Sequence, residues 1–460
     1  MTATDLLAEV GLPSDGASLT IDAAPPVLPA RFPIGARAAA ALGACGVAAA
    51  TIFRDRTGVE QDVFVDQRRA DVSLLSFLMN RLDGDMPIRT AEGNALVALY
   101  ECGDGRWIHL HGAFPKLAQR TVDVIGGAVG DDATQVAARV AQFDGLALED
   151  ALASVGACGA MVRSAAEWAT HPQHAALAPL GRVSIERIGD GPVLPAGTGD
   201  RPLGGTRVLD LTRVLAGPTN ARVLAEHGAE VLHVNGDHMD NVPAFVLDTN
   251  HGKRSTSLDL RTAEDVAILR ALAGEADVFS QGYRGDALAR RGFGPEELAA
   301  LRPGLVYVTI NCYGDVGPWR LRPGWEQLAQ SVTGIAAAQG EGAQGEPGTP
   351  ALVPAAAADY TTGYLAALGT MAALRRRSIE GGTYHVRVSL CQTAMWLAAD
   401  GPSVDPSTAT GFGDVSPWLV TEDTAFGELV HLTPVVQMSQ TPARWAIPVV
   451  PLGTHPPTWR

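Results

Sequence analysis

Apolar and polar positions follow two different periods along residues 205–400. Short apolar runs predict buried strands at 207–211, 229–234, 277–280 and 305–310. Stretches with helical spacing predict intervening helices at 220–227, 263–273 and 295–301. Strand, helix and strand within about 30 residues form a βαβ unit. The pattern therefore predicts an α/β fold with an open parallel, Rossmann-like sheet.

A helical pattern also follows Asp359. Leu365, Leu368, Met371 and Leu374 recur at helical spacing, which predicts a buried helix that begins just after the acid. A carboxylate at that position faces the free N–H groups and the positive end of the helix dipole, which favour its ionised form. An ionised carboxylate can act as a nucleophile. The same position suits a plain N-cap, so the spacing leaves both interpretations open.

The order helix, glycine turn, strand and helix occurs twice in the chain. An Ala-rich helical run at 34–53 leads to Gly58, an alternating strand at 61–66 and a helix at about 69–80. An offset of 323 positions, the separation of Ala36 from Asp359, aligns Leu42 with Leu365, Gly46 with Gly369, and Val63 with Val386. This agreement predicts an internal duplication in which only one copy carries the acid.

The rest of the chain divides into segments that differ in apolar patterning and in Gly and Pro content. Residues 1–31 are loosely patterned and predict a surface arm, whereas 186–204 are rich in Gly and Pro and predict a linker. Between them, a hairpin followed by amphipathic helices predicts a smaller α+β domain. The predicted domains are a partial repeat without the acid at 1–85, the small domain with its linker at 86–204, the large α/β domain at 205–400 and a C-terminal return segment at 401–460.

Composition narrows the function classes. The net charge is −15 and no basic cluster stands out, which argues against nucleic-acid binding. Five cysteines without a CxxC pair indicate a reducing compartment and no disulfide framework. The first residues lack the apolar core of a signal peptide. The sequence has no run of about 18 uncharged apolar residues, so no membrane span is predicted. A cytoplasmic protein is the resulting expectation.

Several familiar sites are disfavoured. The eleven histidines form no HxxxH or HExxH pattern, so no metal site is predicted. His109 and His111 are predicted to share one face of a half-exposed strand. No GxGxxG follows the first strand of the large domain and no GxxxxGK[ST] occurs, which disfavours a dinucleotide site and a P-loop.

Several stretches in order resemble the class III CoA-transferases (CaiB/BaiF-like), the family of formyl-CoA transferase and α-methylacyl-CoA racemase. The stretches are 208–218, 250–260, 276–284, 305–318 and the segment around Asp359. The resemblance implies that the large domain binds CoA and is catalytic. It also implies an acyl-CoA and a carboxylic acid as substrates, and no permanently bound cofactor. Family subunits interlock as dimers, so the duplication predicts either a homodimer or a fused pseudo-dimer.

The resemblance also implies roles for individual residues. Asp359 matches the nucleophile that forms a mixed anhydride and then an aspartyl-CoA thioester, and Glu326 matches an acidic residue near the reacting centre. The implied CoA contacts are Arg213, Val214, Leu215, Ala216, Tyr283 and Arg284. Lys253 and Arg254 lie in a matching loop, where they face either a phosphate or solvent.

The sequence departs from the family pattern at several positions. Leu215 stands where formyl-CoA transferase has Gln, and Trp325 stands where the racemase has its His. A covering Gly-rich loop is not seen after 386–399, and no basic residue occurs at 234–237. The first hypothesis is a CoA-transferase. An acyl-CoA racemase or isomerase and a non-catalytic acyl-CoA-binding member remain alternatives.

Overall fold

The computed structural model of the chain describes residues 2–87, 94–340 and 348–460. The strands, in chain order, are β1 (Ser18–Asp22), β2 (Asp62–Asp66), β3 (Arg81–Leu82), β4 (Val97–Glu101), β5 (Trp107–His111), β6 (Gly159–Met161), β7 (Ser184–Gly189), β8 (Arg207–Leu211), β9 (Glu230–Asn235), β10 (Lys253–Ser257), β11 (Val278–Gln281), β12 (Val306–Asn311), β13 (Thr383–Ser389), β14 (Leu419–Thr424), β15 (Gly427–Leu432) and β16 (Gln437–Met438).

The α-helices, in chain order, are α1 (Ala3–Glu9), α2 (Ile34–Thr57), α3 (Gln67–Ser73), α4 (Ser76–Met79), α5 (Pro115–Ile125), α6 (Ala133–Val140), α7 (Gly145–Ser154), α8 (Ala165–Ala169), α9 (Pro172–Leu177), α10 (Ala216–Glu226), α11 (Pro243–Thr249), α12 (Ala263–Glu275), α13 (Pro295–Leu301), α14 (Glu326–Val332), α15 (Ile335–Gly340), α16 (Ala357–Glu380) and α17 (Leu390–Leu397).

The largest sheet has the strand order β10-β9-β8-β11-β12-β13-β7. All neighbouring pairs are parallel except β13 with β7. Successive residues of a strand point to opposite faces of the sheet. Accordingly, Val208 of β8 packs in a core with residues of α2, α10 and α16, while Leu209 packs in a second core with residues of α12 and α13. The predicted α/β fold with a parallel sheet is confirmed.

Two segments repeat the same structure at the predicted offset. Helices α2 and α16 each contain 24 residues, and each leads to a strand that is followed at once by a short helix. A Cβ on Gly46 would lie 2.5 Å from a methyl carbon of Val63, and a Cβ on Gly369 would lie 2.7 Å from a methyl carbon of Val386. Glycine therefore permits the same close helix–strand contact in both copies, which agrees with the predicted duplication.

Two predicted irregular segments contain regular structure instead. In 1–31, helix α1 buries Leu6 and Leu7, and β1 pairs in parallel with β2, so this segment is no surface arm. The predicted linker 186–204 begins inside β7, which forms the antiparallel edge of the main sheet. Strand pairing with distant residues determines both segments, whereas the local Pro and Gly content suggested loops.

The smaller sheets connect distant parts of the chain. Strands β4, β5 and β6 form a sheet whose core includes residues of α5, α6 and α7, as expected for a small α+β unit. Residues 88–93 of that predicted domain lie outside the described residues. In the C-terminal segment, β15 pairs with β3 and β16 pairs with β2. The chain therefore returns to its N-terminal part, and the predicted domain boundaries stay predictions.

Helix α2 is long and apolar enough to cross a membrane by length and composition. However, 94% of its most apolar window is buried inside the protein. Within the described residues it is the one helix that meets these criteria, and its burial is that of a core helix.

Candidate active site

Asp359 lies in the first turn of α16 and is partly buried. The helix begins at Ala357, with Ala356 as its N-cap residue, so Asp359 is the third helical residue. The interpretation of Asp359 as a plain N-cap is therefore wrong, as is the predicted helix start after the acid. Ala357 and Ala358 also adopt helical geometry, so the helix begins two residues before the acid. The Asp359 carboxyl group therefore projects from the first turn.

A strained turn brings a backbone donor to Asp359. Val214 has φ 72°, a left-handed conformation that is unfavourable for a β-branched residue. Two residues later, the N–H of Ala216 at the start of α10 hydrogen-bonds to the Asp359 carboxyl group. Gly363 allows α16 to approach this turn, since a Cβ there would lie 2.7 Å from the Ala216 carbonyl oxygen. The turn and the helix therefore fix each other's position.

Glu326 is the first residue of α14 and is buried beside the start of α16. Gln330 Nε2 donates to Glu326 Oε1 at 2.6 Å, and the N–H of Ala358 donates to the same oxygen at 3.3 Å. The second bond occupies one of the backbone donors that a helix start leaves free. Glu326 is thus a helix-start acid and also an electrostatic neighbour of Asp359.

Burial makes both carboxyl groups costly to ionise. Burial and, next, the Glu326 charge raise the pKa of Asp359 well above its usual value, while the hydrogen bond from Ala216 opposes the shift. Burial raises the pKa of Glu326 to about 7, opposed by the bonds from Gln330 and Ala358. The expectation that the helix start alone keeps Asp359 ionised is wrong, because desolvation outweighs the dipole.

A cavity of about 480 Å³ is lined by residues that are close in sequence to the partners of Asp359, although neither Asp359 nor Glu326 lines it. Its lining includes Val214 and Trp325, which lie two residues before Ala216 and one residue before Glu326. Four cationic side chains also line it, against one acid, Asp240; the cations are Lys116, Arg120, Arg213 and Arg284. In a chain of net charge −15, such a cluster favours an anionic ligand locally.

The predicted CoA-contact residues divide between this cavity and the protein interior. Arg213, Val214, Tyr283 and Arg284 line the cavity, whereas the buried Leu215 precedes α10 without lining it. The Arg213 guanidinium lies 5.7 Å from the ring centroid of Phe114, also in the lining.

Residues of α5 also line this cavity. Arg284 Nη1 and Arg120 Nη1 both donate to the carbonyl oxygen of Gly156, at 3.2 and 3.0 Å. This shared acceptor brings an arginine of α5 next to one of the large domain. Lys116 and Arg120 of α5, and Phe114 just before it, were not singled out from the sequence, because isolated residues carry no spacing signal.

Lys253 and Arg254 do not line the cavity. Lys253 is fully buried on β10 and donates to Asp210 Oδ2 at 2.9 Å and to the Pro218 carbonyl at 2.8 Å. Arg254 Nη1 donates to the carbonyl oxygen of Thr458 in the C-terminal tail. The hypothesis that they face a phosphate or solvent is wrong for this arrangement, since both cations are used inside the protein.

His109 and His111 are both buried, in contrast to the predicted half-exposed face. His109 Nδ1 lies 3.2 Å from Ser331 Oγ, and the His111 ring stacks on Trp325 at 5.4 Å. Burial lowers the pKa of His109 to about 3 and that of His111 to about 4, so both are neutral. His111 therefore packs against Trp325, which lines the cavity.

Comparison with known sequences identifies the family. The sequence profile of CoA-transferase family III matches residues 13–184 and 203–411. The chain belongs to this family. The first matched segment contains the copy with Ala36, and the second contains the copy with Asp359. Two family-matching segments in one chain agree with the predicted duplication.

Individual relatives cover the chain in part. Acetyl-coenzyme A transferase nodX of Hypoxylon pulicicidum is 34% identical over 337 residues, which cover 68% of this chain and 56% of that protein. Succinate–glutarate CoA-transferase of Agrobacterium fabrum is 34% identical over 207 residues, covering 41% and 51%. A crystal structure of a CAIB/BAIF family protein from Brucella suis matches with 27% identity, a TM-score of 0.41 and coverage of 50% and 65%. The chain spans about half the length of these curated relatives.

Proposed function

We propose that this family III member transfers CoA from an acyl-CoA donor to a carboxylic acid, with Asp359 as the covalent nucleophile. The observation that carries the proposal is the position of Asp359 between the N–H of Ala216 and buried Glu326. The adjoining residues Val214 and Trp325 line a cavity that also has four cationic side chains. CoA carries phosphates, which arginine and lysine bind well. The relatives' names, which describe CoA-transferases, support the reaction class.

The first half-reaction releases the donor acid. The Asp359 carboxylate attacks the thioester carbonyl, the C–S bond breaks, and CoA leaves as a thiolate with a mixed anhydride remaining. The thiolate then attacks the Asp359 carbonyl of this anhydride, which forms an aspartyl-CoA thioester and frees the donor as its carboxylate. The N–H of Ala216 is placed to stabilise charge on the Asp359 oxygen during both steps.

The second half-reaction reverses these steps with the acceptor. Its carboxylate attacks the aspartyl thioester, CoA thiolate leaves, and a second anhydride forms. Attack of the thiolate on the acceptor's carbonyl gives the new acyl-CoA and regenerates the Asp359 carboxylate. The pKa of Glu326, raised to about 7, lets this residue take up a proton near neutral pH, and its protonation would lower the negative charge next to Asp359.

An exchange assay tests the reaction class. Purified protein is incubated with a panel of acyl-CoAs and isotopically labelled free acids, in D₂O, and the acyl-CoA products are analysed by mass spectrometry. CoA transfer predicts label from the acid in the thioester pool without deuterium at the α-carbon. Deuterium at the α-carbon without acid exchange would favour a racemase, which needs two acid–base groups. CoA binding with neither product would favour a non-catalytic acyl-CoA-binding protein.

A further inference from the structure

Three potential metal ligands lie close together in the fold, although they are far from Asp359 in sequence. His251 follows α11, Glu422 lies on β14 and His431 lies on β15. Their ligand atoms all lie within 4.8 Å of one another. His251 Nδ1 is 4.0 Å and His431 Nε2 is 3.6 Å from Glu422 Oε2. The proposed reaction uses none of these three side chains.

The two histidines present buried nitrogens without a hydrogen-bond partner among the described residues. These atoms are both ring nitrogens of His251 and Nε2 of His431. The side chain of His251 is 2% exposed and that of His431 is 5% exposed, so water does not readily satisfy them. A buried polar atom without a partner is costly, and such an atom in a folded protein requires an explanation.

The second nitrogen of His431 has the partner that a metal ligand needs. Nδ1 of His431 lies 3.2 Å from the carbonyl oxygen of Leu432. A carbonyl can only accept, so Nδ1 carries the proton and the lone pair lies on Nε2, towards Glu422. Metal-binding histidines characteristically donate their other N–H to such an acceptor. The hairpin thereby orients His431 before any ion binds.

Neighbouring elements hold the histidines in place. Glu422 pairs with Leu429 across β14 and β15, so His431 lies two residues further along on the same face of the hairpin. The Trp445 ring stacks on His251 at 4.7 Å. The Arg222 cation acts on both histidines, but Asp248 pairs with it at 2.9 Å, which limits its repulsion of a second cation.

We propose that His251, Glu422 and His431 bind a divalent transition-metal ion of the Zn²⁺ type. Two imidazoles and a carboxylate are ligands that Zn²⁺ accepts, with a fourth position left for water. Metal–ligand bonds of about 2.1 Å in a tetrahedron place the ligand atoms about 3.4 Å apart. The separations of 3.6 and 4.0 Å to Glu422 exceed this value slightly, and the 4.8 Å limit for the whole set means that metal binding requires a contraction of at most about 1.4 Å.

The ion would connect the C-terminal hairpin to the large domain. Glu422 is 36% exposed and provides access from solvent. Because the ion would bind the folded arrangement and not the separated segments, it should stabilise the fold. The site is therefore structural, and its occupancy should be measurable without an activity assay.

Titration of the metal-free full-length protein with Co²⁺ and Zn²⁺ tests the proposal. Co²⁺ should give visible absorption bands of a four- or five-coordinate site with one ion per chain, which Zn²⁺ displaces, and Zn²⁺ should raise Tm. His431→Gln and Glu422→Gln should each lower metal affinity at least about tenfold, the effect of losing a metal-site residue. His174→Gln, which changes a histidine elsewhere, should behave as the wild type does.

The Glu422→Gln variant should still fold, because the Glu422 side chain is partly exposed on its hairpin. It therefore separates loss of metal binding from loss of folding. In chelator its Tm should equal that of the wild type, so that only the Zn²⁺-induced shift is lost. Absence of Co²⁺ bands in the wild type, or bands and Zn²⁺ shifts that persist in both site variants, would overturn the proposal.

Discussion

Helices α2 and α16 occupy equivalent positions in the two repeated segments, but only α16 carries the acid. Each begins 323 positions from the other and has the same length, yet the third helical residue is exposed Ala36 in one and partly buried Asp359 in the other. Only Asp359 has the N–H of Ala216 and the carboxyl group of Glu326 as neighbours. The comparison shows that a helix start is insufficient for a reactive carboxylate, and that the packed partners create the site.

The largest effect should come from exchanging the acid between copies. Asp359→Asn should lower CoA transfer by at least about 10³-fold, because an amide cannot form the anhydride. Adding Ala36→Asp to that variant should restore nothing, since Ala36 is exposed. Steady-state exchange rates give the result. Ala36→Asp alone should change stability by no more than about 1 kcal/mol, as an acid in a first helical turn is tolerated. Recovered activity in the double variant would contradict the comparison.

Glu326→Gln should have a smaller effect and change the pH dependence. The Glu326 charge raises the pKa of Asp359, so its removal should lower that pKa and move the acid limb of the kcat/KM profile to lower pH. At neutral pH we expect a change well below the roughly 10²-fold that a general acid or base contributes, because no step of the proposed reaction transfers a proton through Glu326. The exposed Glu296→Gln variant is the control. An unshifted profile in Glu326→Gln would show that the Glu326 charge does not affect the pKa of Asp359.

A substitution of Glu226 on α10 tests the packing between the two repeated segments. Burial raises its pKa to about 7, opposed first by Arg222 of α10 and then by Arg69 of α3. A folded-state pKa above the unfolded value means stability that is present below about pH 4.5 and lost as pH rises through 7. Urea unfolding at pH 5 and pH 8 should therefore show a pH-dependent loss that is smaller in Glu226→Gln by up to about 3 kcal/mol. Equal losses would refute this assignment.

The paired glycines should give the smallest and most symmetric effect. Gly46→Ala and Gly369→Ala each place a Cβ within 2.7 Å of a valine methyl carbon, so each should destabilise the protein by about 1–3 kcal/mol in urea unfolding. Gly274→Ala in α12, where a Cβ meets no atom within 4 Å, should be neutral or slightly stabilising. If only one of the paired variants is destabilised, the two copies do not share this contact.

The sequence predicted the elements that local periodicity encodes. Strands β8, β9, β11 and β12 of the main sheet and the repeated unit depend on apolar spacing over a few residues, and these were found. Edge strands β7 and β10 were instead predicted as parts of a linker and a loop. Strand β1 was missed because its pairing with β2 is not visible in its own residues. The burial of Lys253 depends on Asp210, which is 43 positions away. Likewise, the raised pKa of Asp359 depends on Glu326, which only folding brings close.

The most direct test of the account is the number and position of covalent adducts per chain. Intact protein is incubated with a panel of acyl-CoAs, trapped with hydroxylamine or borohydride, and analysed by mass spectrometry and peptide mapping. The account predicts one adduct per chain, on Asp359, that is absent from Asp359→Asn. An adduct on another residue, a second adduct on the copy that carries Ala36, or no adduct despite CoA binding would contradict it.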